Sequence, residues 1–275
     1  MGALDAFSKA FSLVTKNKKA CFLVIIAYIA MALMVFILPA PAGGTAGEHT
    51  TIIFEEYGAP SAGSIFHDLK QFLLGLFITV LILSLVEYTV VKAYYLSVIG
   101  EKYSLATLLW EALPRIPAVI LIKVLAYLTS FIIGAIPLGL TIIGALTISP
   151  ALSLLGVSIL LLIIPVVLTF FALVVPSYLQ VNGVGAIVEA FQITIRNIPS
   201  SFGYGVLFLL LSFTVSIGMV PLLIPLIISN ASPLTITLLE VPFKAFLTCF
   251  LWAGGVLLYL DFKEINERKE EEFLY

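Results

Sequence analysis

The chain has 275 residues, 61% hydrophobic and 11% charged, with a net charge of −2 and a mean hydropathy of +1.16. A typical soluble domain carries about 25% charged residues, so a water-soluble fold is excluded, and the near-neutral balance argues for no nucleic-acid partner. Between Lys123 and Glu189 there are 65 uncharged residues in a row, and between Arg196 and Glu240 another 43. A hydrocarbon core roughly 30 Å thick, crossed by about 20 apolar residues, is the solvent such runs require.

The first element is an amphipathic helix over 4–14. Leu4, Phe7, Phe11 and Val14 fall on one stripe, with Asp5, Ser8, Lys9 and Ser12 turned away. Lys16, Lys18 and Lys19 precede an apolar run that ends at Ala40-Pro41-Ala42 and imitates a secretory signal. The run is longer than the 7–15 residues of a signal core and long enough to span, so it reads as a retained helix over about 20–39. A Gly-, Pro- and Ala-rich outer loop follows over 42–67, with an extended candidate at 50–54. The second span covers about 71–91 and continues as helix to Val98.

The remaining spans fall at about 116–138, 151–178, 199–228 and 234–260, with kinks expected near Pro137, Pro165 and Pro221. Outer connections are read at 139–150 and 229–233. Amphipathic connectors at 103–113 and 183–195 lie in the interface on the other side. These features predict one transmembrane domain: an all-α integral membrane bundle of six helices with interfacial helices on the cytoplasmic side. A β-barrel is excluded, because barrel strands alternate apolar and polar residues and 151–175 is apolar on all sides. Basic residues set the orientation. Eleven of the 14 fall on the side that holds both termini, which predicts a multi-pass cell-membrane protein with cytoplasmic N- and C-termini. The tail over 261–275 mixes both signs and extends the last helix into water.

Asp5-Ala6-Phe7, Glu111-Ala112-Leu113 and Glu189-Ala190-Phe191 each sit in a connector that leads into an outward span. This suggests three copies of one unit: interfacial helix, span out, span in. The alternative is that any helical hairpin needs an amphipathic lead-in.

Pro176, Gly183, Glu189-Ala190 and Ile195-Arg196-Asn197, running straight into a span, resemble the cytoplasmic connector of a membrane superfamily. It includes the YciC-like proteins and the membrane domains attached to glycerophosphodiester phosphodiesterases. Leu258-Tyr259-Leu260-Asp261 before a charged tail is similar as well. The resemblance covers about the last 100 residues. It implies a helical membrane module, in some relatives an accessory to an enzyme of lipid-derived substrates. No phosphodiesterase domain accompanies it here, so no catalytic residue carries over.

Ionisable residues inside a bilayer are costly and each is a functional candidate. Glu87 and Lys123 lie at similar depth on consecutive antiparallel spans, which predicts an ion pair; a fold-locking bridge, a snorkelling lysine and a proton or substrate site are its three readings. Glu240 and Lys244 form an i,i+4 pair and begin a stripe through Thr248, Trp252, Gly255 and Tyr259. That face meets either protein or a lined passage. Ala126, Ser130 and Gly134, spaced by four, allow close helix packing.

Cys21 and Cys249 fall in apolar segments at different expected depths, which predicts two separate buried thiols and no disulfide, with lipidation of Cys21 as the alternative. Glu48, His49, Glu55, Glu56, His67 and Asp68 on the outer loop match no zinc or calcium spacing, so no metal and no cofactor are expected. Metalloprotease, nucleophile-elbow and P-loop motifs do not occur. The functional expectation is a non-catalytic protein that handles or translocates lipid-like or small amphiphilic molecules, or assists a partner that does. Its partners are membrane lipids, other membrane proteins or a second copy. The alternatives are a scaffold recruiting partners through connectors and tail, and an intramembrane enzyme.

Overall fold

The computed structural model describes residues 2–37 and 62–273, with the side chains of 35–37, 62–69, 71–72 and 265–273 outside that description. The expected strand at 50–54 and the candidate ligands Glu48, His49, Glu55 and Glu56 lie outside it; the expected outer loop is cut short by a helix that begins at Ala62, and His67 and Asp68 fall on its backbone. Every regular element described is a helix. They are α1 (Ala3–Lys16), α2 (Lys18–Ile37), α3 (Ala62–Ile99), α4 (Leu105–Ala112), α5 (Ile116–Leu146), α6 (Pro150–Gln180), α7 (Gly185–Arg196), α8 (Ile198–Ile228) and α9 (Pro233–Phe273), with a 3₁₀ turn at Leu113–Arg115. Five helices are long and apolar enough to cross a membrane, and a sixth is counted if the bent pair α1–α2 forms one span. The molecule is thus an all-α, multi-pass membrane protein.

The three connectors become α1, α4 and α7, each running almost directly into α2, α5 or α8. At the first of these turns α1 and α2 meet at 83°. We call the end that carries these helices the connector end, and the opposite end, with the tight turns, the hairpin end.

One expectation about the hairpin end needs correction. The 139–150 connection is helix for most of its length, and the turn is only Thr147, Ile148 and Ser149. Pro137 sits inside α5, where a proline costs one ladder bond without ending the helix, because neighbouring helices and local adjustment re-satisfy the freed backbone group. The turn is closed by Ile148 at φ 53°, with the Ser149 amide bonded to the Gly144 carbonyl at 2.8 Å. Asn230 does the same at φ 52°, where the Ala231 amide reaches the Leu226 carbonyl at 2.9 Å. Both are left-handed helix ends of the Schellman type.

These matching turns bear on the repeat. α5 and α8 each begin with Ile-Pro, each hold 31 residues, and each end in this turn before a proline that opens the returning helix. The register of the first copy shifts by one helical turn. Asn17 and Asn197 both cap their connector helices, each pairing its backbone amide and its side-chain amide with the carbonyl four residues earlier. Ala10-Phe11, not Ala6-Phe7, is therefore the counterpart of Ala190-Phe191.

The buried face of α1 also differs from the expected stripe. Ala6, Ala10, Leu13 and Val14 are buried, whereas Leu4 is exposed. Alanines let α1 lie close against α8 and α9, and Phe7 and Phe11 flank that seam, packing edge-on against Phe250 at 4.7 and 5.8 Å between centroids.

Close backbone approach holds the rest together. A methyl on Gly205 of α8 would stand 2.0 Å from the Pro165 carbonyl of α6, and one on Gly255 of α9 would stand 2.2 Å from the Ala172 carbonyl. The Thr169 hydroxyl of α6 donates to the Ser201 carbonyl of α8 at 2.7 Å. By contrast, a methyl on Gly134 meets nothing within 4 Å. The Ala126–Ser130–Gly134 series is thus not one tight seam: Ala126 is buried, Ser130 Oγ is buried without a hydrogen-bond partner, and Gly134 faces open space. The seam follows the glycines that carbonyls reach, and that choice depends on how helices cross rather than on spacing.

Candidate functional site

α3 forms the spine of a polar ladder within the connector half. Its residues Glu87, Tyr88, Lys92, Tyr94, Tyr95 and Ser97, spread over about three helical turns, reach α5, α4, α2, α6 and the α1–α2 elbow. The upper rung is the expected ion pair. Lys123 Nζ of α5 donates to Glu87 Oε2 of α3, with the Glu87 side chain buried and Lys123 mostly so. Tyr28 and Tyr127 are the next groups facing this ammonium. The Tyr28 hydroxyl is in turn paired with Thr248 Oγ1 at 2.9 Å. Burying two charges costs several kcal/mol per ion unless the pair is well made, so this contact fixes α3 and α5 relative to each other.

The next rung lies one turn nearer the connectors. Glu111 of α4 accepts hydrogen bonds from Lys92 Nζ and, at 3.4 Å, from the Tyr88 hydroxyl, with Arg115 3.8 Å away. The Lys92 contact, followed by the two cations, holds the Glu111 carboxyl below its ordinary range. The Arg115 guanidinium also covers the Tyr88 ring at 5.7 Å. A third rung is centred on Asn17 at the α1–α2 elbow. Its amide donates to Leu13 O at 2.8 Å and Ser97 Oγ at 3.2 Å, and its oxygen accepts from the Tyr103 hydroxyl at 2.5 Å. Gln180 and Tyr95 close the far side of α3.

The polar stripe of α9 meets protein along most of its length. Thr248 is paired with Tyr28, Trp252 is buried, Gly255 touches α6, and the Tyr259 hydroxyl donates to Glu189 Oε1 of α7 at 3.0 Å. Lys244, 2.5 Å from Glu240 at the hairpin end, is the member of the stripe that keeps substantial exposure. The Tyr259–Glu189 bond joins the two stretches that carry the family resemblance.

Asn17, Glu111 and Glu189 did not stand out in the sequence as ladder members. The signal for Asn17 is its position just before Lys18-Lys19, where an amphipathic period gives way to an apolar run and a capping residue is needed. The cysteines are free thiols, as expected, but only Cys249 is fully buried and Cys21 is half-buried. The Cys21 thiol of α2 and the Tyr94 hydroxyl of α3 share a hydrogen bond at 3.4 Å, and α2 packs beside α9, which carries the buried Cys249. Depth was misjudged because α1 crosses α9 at Phe246 and Phe250 rather than at its charged tail. α2 therefore starts beside the middle of α9.

Two cavities flank the ladder. An open one of about 450 Å³ beside α4 is lined by Lys92, Glu101, Lys102, Tyr103, Ser104 and Glu111 among others. The other, about 320 Å³, lies between α5, α6, α7 and the start of α8 and is lined by Ile133, Leu162, Ile163, Val166, Val167, Phe170, Phe191, Thr194, Ile195 and Ile198. Its single polar side chain, Thr194, spends its hydroxyl on the Ala190 carbonyl at 2.7 Å. Among the described residues no three His, Cys, Asp or Glu side chains are grouped to hold a metal ion. No family model, curated protein or solved structure matches this chain.

Proposed function

We propose that this is a non-catalytic, multi-pass cell-membrane protein that holds one apolar chain of a membrane lipid, or of a small amphiphile, in the groove between the α5–α6 hairpin and the α7–α8 corner. The observation that carries this reading is the groove's lining: nine apolar side chains and one threonine whose hydroxyl is already used. Such a surface offers no partner to a polar substrate and no group for proton transfer or nucleophilic attack. Leu162, Ile195 and Ile198 are exposed at its mouth, so a chain enters sideways from the bilayer. Because lipid tails are as apolar as the lining, retention arises from close packing rather than from escape from water. With 11 of the 14 basic residues assigned to it, the connector end faces the cytoplasm in this reading, and both termini with it. The resemblance to lipid-related membrane modules points the same way.

The ion pair and the α9 stripe then serve the fold, and lipid handling takes place at the flank rather than through the centre. Native mass spectrometry of gently solubilised protein tests this. The wild type should retain a lipid adduct, and Ile163→Trp or Val166→Trp, which fill the groove, should lose it while keeping the same unfolding midpoint. Unchanged adducts in both variants would remove the groove from the proposal.

A further inference from the structure

The cavity beside α4 shares no lining residue with the groove between α5 and α7, and its chemistry is different. It opens where α3 ends. Val98 and Ile99 there are exposed and apolar, and the chain then turns at Gly100 into Glu101 and Lys102. Trp110 of α4 is 75% exposed. An apolar helix end giving way to charge, with an exposed tryptophan on the same connector, marks the level at which acyl chains meet headgroups. Within the cavity the polar groups are unevenly used. Lys92, Tyr88 and Arg115 all converge on Glu111 Oε1, so that carboxylate is already answered by two cations. The side chains of Lys102, Ser104 and Thr107 line the same cavity and have no hydrogen-bond or ion-pair partner among the described residues.

The elbow adds charge to this corner. Tyr103, in the cavity wall, donates to Asn17 Oδ1, and the exposed Lys16, Lys18 and Lys19 stand on either side of that asparagine in the chain. None of the three has an ion-pair partner among the described residues. With Lys92, Lys102 and Arg115 they make six cations against the carboxylates of Glu101 and Glu111. We propose that the α3–α4 cavity binds the headgroup of an anionic phospholipid. The phosphate lies against Lys102, with the Ser104 and Thr107 hydroxyls as donors, and the acyl chains stay in the bilayer beside Val98 and Ile99. A zwitterionic headgroup carries the same phosphate together with an ammonium, which the surplus of cations repels. The site therefore selects a headgroup, independently of any chain held in the groove.

The test titrates full-length protein in detergent with dioleoyl phosphatidylglycerol or dioleoyl phosphatidylcholine and reads the adducts by native mass spectrometry. The two lipids have the same chains, so binding in the groove is common to both and the difference reports the headgroup. Phosphatidylglycerol should be retained in preference, and Lys102→Ala should lower that preference about fivefold, the value of one lysine beside an anionic headgroup. Ser104→Ala combined with Thr107→Val should lower it at unchanged net charge. Ile163→Trp, which fills the groove, should leave it intact. So should Lys244→Ala, which removes the same charge at the hairpin end. Equal retention of the two lipids, a preference for phosphatidylcholine, no drop in Lys102→Ala, or an equal drop in Lys244→Ala would overturn the proposal. An unchanged preference in the Ser104 and Thr107 double variant would overturn the role given to those hydroxyls. Displacement of phosphatidylglycerol by excess inorganic phosphate would reveal a site for a soluble anion and overturn the lipid assignment.

Discussion

The connector half and the hairpin half of the bundle are built from the same apolar alphabet, yet the first is packed across many helices and the second closely only within the α5–α6 hairpin. Along α8, Tyr204, Gly205 and Phe208 are buried, while Phe213, Ile217 and Ile228 are exposed. Along α5, Val119, Ile122 and Ala126 are buried and Phe131, Ile136 and Leu146 are not. Hydropathy does not separate these stretches. Polar rungs and glycine contacts between helices do; in the hairpin half they recur within the α5–α6 hairpin, at Gly144, at Gly156 and where the Ser153 hydroxyl reaches the Thr141 carbonyl at 3.4 Å. In lipid no hydrophobic force draws two helices together, so association depends on close packing and hydrogen bonds. Where a sequence supplies neither, leucine and isoleucine sit equally well against acyl chains, and the helices stand apart.

The largest effect that breaks this contrast is the loss of half of the Glu87–Lys123 pair. Lys123→Met leaves a carboxylate buried without its cation, and Glu87→Gln leaves the ammonium without its anion; removing one partner of a buried pair costs about 3–5 kcal/mol. Detergent unfolding should show that loss for each single variant. The double variant should recover much of it, since no buried charge remains. A double variant no more stable than the worse single one would mean that the two side chains act independently.

A smaller contrast lies within α8 alone. Gly205→Leu must push α8 off the Pro165 carbonyl, and overpacking of this kind costs about 1–3 kcal/mol. Gly218→Leu, with nothing within 4 Å of the new methyl, should stay within about 0.5 kcal/mol of the wild type. Unfolding midpoints of the two variants in one detergent decide the matter. Equal losses would show that the hairpin half is packed after all.

How much of this was legible beforehand follows the same division. The spans and the three lead-in helices could be read because apolar run length and a 3.6-residue period are local properties. The Glu87–Lys123 pair could be read because two consecutive antiparallel spans fix relative depth by counting. The course of α2 beside the middle of α9 could not, because it depends on an 83° elbow and on where α1 crosses α9. Gly134 and Gly205 look alike in sequence; only the second faces a carbonyl, and helix crossing decides which. The turn at Ile148 was hidden for a different reason. A β-branched residue at positive φ is strained, so composition pointed to Gly139 instead, while the chain accepts the strain to close α5.

The smallest expected effect concerns the rung nearest the water. Glu111 is bound by Lys92, Tyr88 and Arg115, and its carboxyl titrates below its ordinary value. A depressed carboxylate contributes stability that is present above its unfolded-state value, about 4.3, and disappears as pH falls through the lower, folded-state value. The unfolding midpoint should therefore decline as the solution is acidified below about pH 4.3. About a third of the side chain is exposed, so the contribution stays under about 1 kcal/mol. Glu111→Gln should remove that part of the acid dependence while leaving the Tyr88 contact available to the amide oxygen. If the acid slope of Glu111→Gln matches the wild type, the rung is an ornament of the connector, and α4 is held in place by Leu108 and Ala112 alone.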